Sequence, residues 1–535
     1  MTRAFHSSWI PYAQTGRFTK MILDYVGGSD GLAGFYEQPV NLQGIQAAIE
    51  ARKKWNTNRP LLVEQLLLQY RGIDDSDRAV ANIRALADGN TFTVCTAHQP
   101  NIFTGHLYFI YKILHTIKLA EHLTGHFPGS HFVPVYFMGS EDADLEELNN
   151  VVVDGKKYVW HTKQTGAVGR MKVDNALLQM MAALAGRISV EPHGNQLLDI
   201  LATYFQKDVT IEQATFLLVH HLFKKYGLVV FLPDNGAYKN EMTGVFAQDI
   251  FGNASSKIVN ETDAKLASKY KVQAHPREIN LFYLTGDIRN RLVETSEGFR
   301  VHDTDIVFTA AALRQELQDH PERFSPNVIL RGLFQEMLLP NIAFIGGGGE
   351  IAYWLQLKEM FHFYQVPFPL LIVRNSFLII EKKMRQLIGK LRLSPGDLFK
   401  EEEVLFSQIV AAKTTHRLQL DEEKFQIQQA FYSIKQLVRQ IDPTLEEHAS
   451  ALETQNANKL AAMEVKMLRA EKRRFADAKN QLSTIMAALF PDGGLQERSE
   501  NFMLLYAKWG EALFDLIHQH SLALEQQFCI IEEEQ

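Results

Sequence analysis

Cysteine is nearly absent: the 535-residue chain has two, Cys95 and Cys529. So few thiols exclude a disulfide framework and a cysteine-rich zinc site, and they fit a reducing compartment. No zinc is expected. Long apolar runs are missing too; no window approaches 18 uninterrupted apolar residues, so no transmembrane helix is expected. The first residues, Met-Thr-Arg-Ala-Phe-His-Ser-Ser, lack the apolar core of a secretion signal, and Cys529 stands too far from the end for prenylation. Nor is there an excess of positive charge. The net charge of −7 argues against a nucleic-acid surface as the main function. With 46% hydrophobic and 22% charged residues, the composition is that of a soluble globular protein. The expectation is a cytoplasmic chain that binds neither membranes nor nucleic acid, long enough for about three or four domain-sized pieces.

Residues 1–90 read as a mostly helical wrapping segment, with apolar spacing in Ile45–Trp55 and Leu61–Tyr70. From Thr91 the pattern changes. Thr91–Ala97 reads as a strand, Gly105–His122 carries apolar residues at helical spacing, and His131–Met138 reads as a second strand. Gly227–Leu232 is a third. Asn341–Ile345, Glu350–Phe363 and Phe368–Val373 form another strand–helix–strand unit. An open parallel sheet with helices on both faces accounts for all five strands. It spans residues 91–376, with hairpin-like insertions near 150–215 and 260–325. Beyond residue 377 glycine thins and charge rises. Ile427, Phe431, Ile434, Val438 and Ile441 follow a 3–4 spacing, which resumes after Pro443 and slips phase before Phe475. Residues 377–535 are therefore expected to form a helical coiled-coil domain, with a last helix near Phe502–His518 folding back.

Ligands of parallel α/β sheets bind outside the carboxyl ends of the strands. The residues just beyond the five strands are uniformly small, polar or ionisable. After the first come His98, Gln99 and Asn101, then Thr104-Gly105-His106 at the mouth of the helix. Glu141-Asp-Ala-Asp144 succeeds the second strand, Pro233-Asp-Asn235 the third, Gly346-Gly347-Gly348-Gly349 the fourth and Arg374 the fifth. One composite site is the simplest reading. Four glycines before a helix let backbone N–H groups approach a phosphate or carboxylate, although a tight turn packing a helix on the sheet would also use them. The run lacks the Gly-Lys-Ser/Thr of a Walker loop and the third glycine of a dinucleotide fingerprint. Glu141, Asp142 and Asp144 are candidate catalytic carboxylates, one of which would cap the next helix. Thr104 and His106 are candidates for phosphate contact and acid chemistry. Arg331 and Arg374 could clamp carboxylates or phosphates. Asn341, Glu350, Tyr353 and Trp354 join the binding candidates as neighbours of the glycines, although an aromatic stripe with Phe361 and Phe363 is commonly core.

Three blocks carry a family likeness: Thr96–Tyr108, Val133–Asp144, and Pro321–Arg331 running on to Glu350–Trp354. Through them, and over essentially the whole length, the chain resembles the cysteine-adding ligases of bacillithiol biosynthesis. The resemblance implies a Rossmann-like core related to class I aminoacyl-tRNA synthetases, connective insertions, and a coiled coil that makes a homodimer. It implies a reaction that joins the carboxyl group of cysteine to the amine of glucosaminyl-malate. A nucleotide, ATP with Mg²⁺, would activate the carboxylate. Thr104-Gly105-His106 would then stand where the synthetases grip phosphate. The chain departs from the family pattern at His106, where proline is usual, and at His98, where glutamine is usual. The synthetases' lysine-rich second loop has no counterpart, since Glu381-Lys-Lys-Met384 is a poor substitute. Two other readings use the same residues: a nucleotidyltransferase or phosphoester hydrolase holding Mg²⁺ on Glu141, Asp142 and Asp144, and a non-catalytic nucleotide-binding scaffold whose coiled coil recruits a partner.

Overall fold

Five strands lie parallel in the centre of the larger part of the chain. They are β1 (Thr91–His98), β2 (His131–Met138), β3 (Val229–Phe231), β4 (Asn341–Gly346) and β5 (Leu370–Val373), hydrogen-bonded in the order β5-β4-β1-β2-β3. The computed structural model describes residues 4–534. Each strand is rich in β-branched and aromatic residues and is buried on both faces, as a parallel sheet covered by helices requires. Helix α1 (Tyr108–His126) returns from β1 to β2. Helix α2 (Val328–Leu338) precedes β4, and the short α3 (Gly348–Trp354) comes after it. The strand order reverses between β1 and β4, so a crevice opens there at the carboxyl ends.

The amino-terminal residues do more than wrap. Ile45, Ala48 and Ile49 of the helix Leu42–Lys53 share one apolar core with Phe92, Ile342 and Leu370 of the sheet. Gly44 permits that approach, because a Cβ there would fall 2.0 Å from the Pro39 carbonyl oxygen. The insertion after β2 contains one hairpin, Asn150–Val153 with Lys156–Val159. Its turn residues Asp154 and Gly155 have positive φ, as Asp-Gly hairpins favour. The rest of that insertion is helical, with helices Asn175–Ile188, Gly194–Tyr204 and Ile211–Phe223. Its apolar residues recur at helical rather than strand spacing. The insertion before α2 does hold hairpins: five short strands between Leu281 and Pro326 form an antiparallel sheet.

The described chain divides into two compact units, residues 9–378 with 495–529, and residues 4–8 with 379–494 and 530–534. In the second, the helices Asp421–Ile441 and Leu445–Lys472 lie antiparallel, tied by ion pairs Lys424–Glu464 at 2.7 Å and Lys435–Glu453 at 2.5 Å. The phase slip in the apolar pattern is a single 3-10 turn, Arg473–Phe475. No residue of Asp421–Ile441 is buried. Residues 495–529 belong to the first of these compact units. They pack into the sheet-containing unit, where Phe514 meets Phe223 and Ala523 joins the sheet core.

Candidate active site

A cavity of about 670 Å³ opens at the switch point. From the end of β1 it takes His98 and Gln99. His98 is half-buried, edge-on against Tyr108, and among the described residues its Nε2 has no hydrogen-bond partner. Burial, with the positive charge of Lys112 nearby, holds its pKa well below the usual histidine range, so the ring is neutral. The Lys112 ammonium comes from α1, one turn beyond Tyr108. It donates to the Ala97 carbonyl at 2.9 Å and pairs with Glu350.

The three carboxylates after β2 do different things. Glu141 is buried and paired with Lys239, whose ammonium also donates to the Glu322 carbonyl at 2.9 Å. Ser325 donates to its other oxygen at 3.3 Å. Asp142 is more open. It accepts from Gln99 Nε2 at 3.0 Å and lies 3.9 Å from Arg289. Asp144 caps the short helix Leu145–Leu148, accepting from the Glu147 amide at 3.3 Å, and does not line the cavity. The three therefore do not converge on a common point. Among the described residues no group of three or more His, Cys, Asp or Glu side chains is placed to hold a metal ion.

The glycine run splits its duties. A Cβ on Gly346 would lie 2.8 Å from the Phe344 ring, and one on Gly348 would lie 3.2 Å from Ile22; both positions serve close packing. Gly347 and Gly349 have room and border the cavity. None of the four has positive φ, so left-handed backbone is not the reason for glycine here. The Gly347 amide already donates to the Glu350 carboxylate at 2.9 Å, a carboxylate that Lys112 neutralises. On the facing walls, Arg331 of α2 donates to the Tyr353 hydroxyl. Arg374 at the end of β5 donates to Glu497 at 2.7 Å, to Ser376 at 3.1 Å and to the Asn375 carbonyl at 3.0 Å.

Of the residues singled out in the sequence, His98, Gln99, Glu141, Asp142, Arg331, Gly347, Gly348, Gly349, Glu350, Tyr353 and Arg374 come together around the cavity. Others do not. Asn101, Thr104, Gly105 and His106 lie in a loop beside it, where Phe103, Thr104 and Gly105 have φ of 49°, 69° and 67°. Asn501 donates to the carbonyls of Phe103 and Gly105, and His106 is bonded to the Ser499 carbonyl at 3.1 Å. Gly346 is enclosed at the end of β4. Trp354 is fully buried against Phe344, Phe361 and Phe368. Asn341 sits at the amino end of β4, bonded to Glu336 at 2.7 Å, on the side of the sheet away from the cavity. Sequence reasoning passed over Tyr108, Lys112, Arg277, Arg289, Arg291 and Arg498, all lining residues. Lys112 had left a signal: a lone lysine among Tyr111, Ile113 and Leu114 on an apolar helix must have a buried partner. Arg498 left none.

A parallel sheet ordered β3-β2-β1-β4-β5, with a polar cavity at its reversal, defines a doubly wound, Rossmann-like α/β protein. The chain belongs to the bacillithiol biosynthesis BshC family. Residues 6–375 match the family's N-terminal Rossmann-like domain, and residues 377–533 match its C-terminal coiled-coil domain. Relatives named "Putative cysteine ligase BshC" include one from Flavobacterium johnsoniae, 37% identical over 98% of this chain and 99% of its own. Another, from Flavobacterium psychrophilum, is 35% identical over 98% and 99%. A third, from Christiangramia forsetii, is 36% identical over 98% of each chain. No described helix is long and apolar enough to cross a membrane.

Proposed function

We propose that this chain is a ligase that joins the carboxyl group of cysteine to the amine of glucosaminyl-malate, with a nucleotide activating the carboxylate. The observation that carries the reading is the charge arrangement of the cavity. The open carboxylate of Asp142 stands on one wall, while Arg277, Arg291 and Arg498 have no acidic partner among the described residues on the others. Such a cavity suits a substrate that brings both an amine and carboxylates.

A free carboxylate does not acylate an amine in water, so an activated acyl group is needed, and ATP with Mg²⁺ is the expected source. The open backbone at Gly349 and the cavity arginines without an acidic partner among the described residues are the groups that would meet its phosphates. An attacking amine must be neutral. Asp142, held by Gln99 and less buried than Glu141, is placed to take its proton. Glu141, locked between Lys239 and Ser325, fixes the loop that presents Asp142. Reading Glu141, Asp142 and Asp144 as a Mg²⁺ triad finds no support, because Asp144 is spent on capping. The helical hairpin exposes Leu437 at 61% and Ile441 at 76%, which supports a homodimer through that unit.

Purified protein incubated with cysteine, glucosaminyl-malate, ATP and Mg²⁺, and read by mass spectrometry, tests the proposal. Bacillithiol with AMP supports an acyl adenylate, and bacillithiol with ADP an acyl phosphate. No thiol product overturns the reading.

A further inference from the structure

The segment after the helical hairpin contributes to the cavity wall. Glu497 is fully buried, and it accepts from Arg374 at 2.7 Å, from Ser376 Oγ at 3.1 Å and from the Phe377 amide at 3.2 Å. The next residue, Arg498, lines the cavity beside Arg374 and Tyr108 and is exposed to it. The acid next to it in the chain is already committed to Arg374. Among the described residues, no hydrogen bond or ion pair engages the Arg498 guanidinium. Three residues on, Asn501 secures the loop at the mouth of α1 through the Phe103 and Gly105 carbonyls.

The Arg498 guanidinium is exposed to the cavity beside a second arginine, so an anion entering there would meet two positive charges. Desolvation and the neighbouring Arg374 oppose its charge, while Glu497 and Tyr108 favour it. Its planar fork suits two-oxygen anions better than a lysine would. Resting on the ligase reading, we propose that Arg498 contacts substrate by taking an oxyanion, a carboxylate of the amine acceptor or a phosphate of the nucleotide. Glu497 is the positioning residue that holds Arg374 beside it.

The test measures kcat and the KM of each of the three substrates for the full-length chain, Arg498→Ala, Arg498→Lys and Glu497→Gln. For Arg498→Ala the KM of either glucosaminyl-malate or ATP should rise about tenfold or more, with kcat within about threefold, because the contact is ground-state binding. Which KM moves identifies the oxyanion. Arg498→Lys should recover part of the loss, since it keeps the charge without the fork. Glu497→Gln should raise the same KM, with Arg374 less firmly held. Unchanged KM values in Arg498→Ala overturn the proposal, as does a uniform loss of kcat that tracks a fall in thermal midpoint. If the wild-type chain makes no thiol product, the ligase reading fails, and calorimetry of ATP and of glucosaminyl-malate then decides on Arg498 separately. Weaker binding of one of them to Arg498→Ala sustains the contact; equal binding, or none to either chain, overturns it.

Discussion

The two ends of the central sheet each bury an arginine–glutamate pair, and they use it differently. At the amino end Arg52 meets Glu336 at 2.6 Å and also donates to the Glu336 and Pro367 carbonyls. Glu336 in turn accepts from Gln335 and Asn341, and Asn341 from Thr93. In that network each charge has its counter-ion, although Arg52 Nε and Gln335 Oε1 have no hydrogen-bond partner among the described residues. At the carboxyl end the Arg374–Glu497 pair borders a cavity in which further arginines stay unpaired among the described residues. Both ends are polar. Empty space and uncompensated charge mark only one of them as a place for a ligand.

The largest effect should come from breaking the amino-end pair. Glu336→Ala leaves a buried guanidinium without its acid and should cost about 3–5 kcal/mol. Urea denaturation measures this, while kcat per folded molecule should stay unchanged. At the open end the effects should reverse. Asp142→Asn should lower kcat/KM about a hundredfold, roughly 2.7 kcal/mol of transition-state stabilisation, with the denaturation midpoint unmoved. Full turnover in that variant would remove Asp142 from the site.

The third contrast is in pH dependence. Burial pushes Glu212 up to about 7, against the opposing effect of Ser140, with the nearby charges of Asp234 and Glu141 adding to the rise. An unfolded glutamate titrates near about 4.3. The folded chain therefore holds this proton over the intervening window, and the stability it lends at low pH is lost as pH rises from there towards 7. Glu212→Gln should flatten the urea midpoint between pH 5 and 7 relative to the unchanged chain. A parallel pair of profiles would count against it. The smallest effect separates glycines within one run. Gly346→Ala should destabilise by about 1–3 kcal/mol through overpacking on Phe344. Gly349→Ala, with open space around it in a helix, should be neutral or stabilising by up to about 1 kcal/mol. Thermal midpoints of the two variants check both expectations.

Much of the fold was legible because it is written in local pattern. The five strands emerged from β-rich runs bounded by polar turns, and the structure places them at 91–98, 131–138, 229–231, 341–346 and 370–373. The phase slip before Phe475 was equally visible. Part of the cavity could be read from the residues just beyond each strand, since a parallel sheet gathers those ends by construction. Asn341 misled because it opens a strand rather than closing it, and a polar residue at the wrong end joins a structural network. Trp354 misled because helical spacing beside a site does not say which face turns inward.

By itself, the sequence determined the five central strands and the long helices between them, that these strands run parallel, and that polar and ionisable residues gather at their carboxyl ends. Backbone propensity and side-chain periodicity act over a few residues, so a linear reading can recover them. Only the tertiary structure decided the partners. It assigned Glu350 to Lys112, Glu141 to Lys239 and Arg374 to Glu497, and so decided which charges are already satisfied. It also returned residues 495–529, which come after the helical hairpin in the chain, to the sheet, bringing Arg498 to the cavity. The physical reason is that charge compensation in a buried site depends on distance in space, and the partners stand up to hundreds of residues apart in the chain.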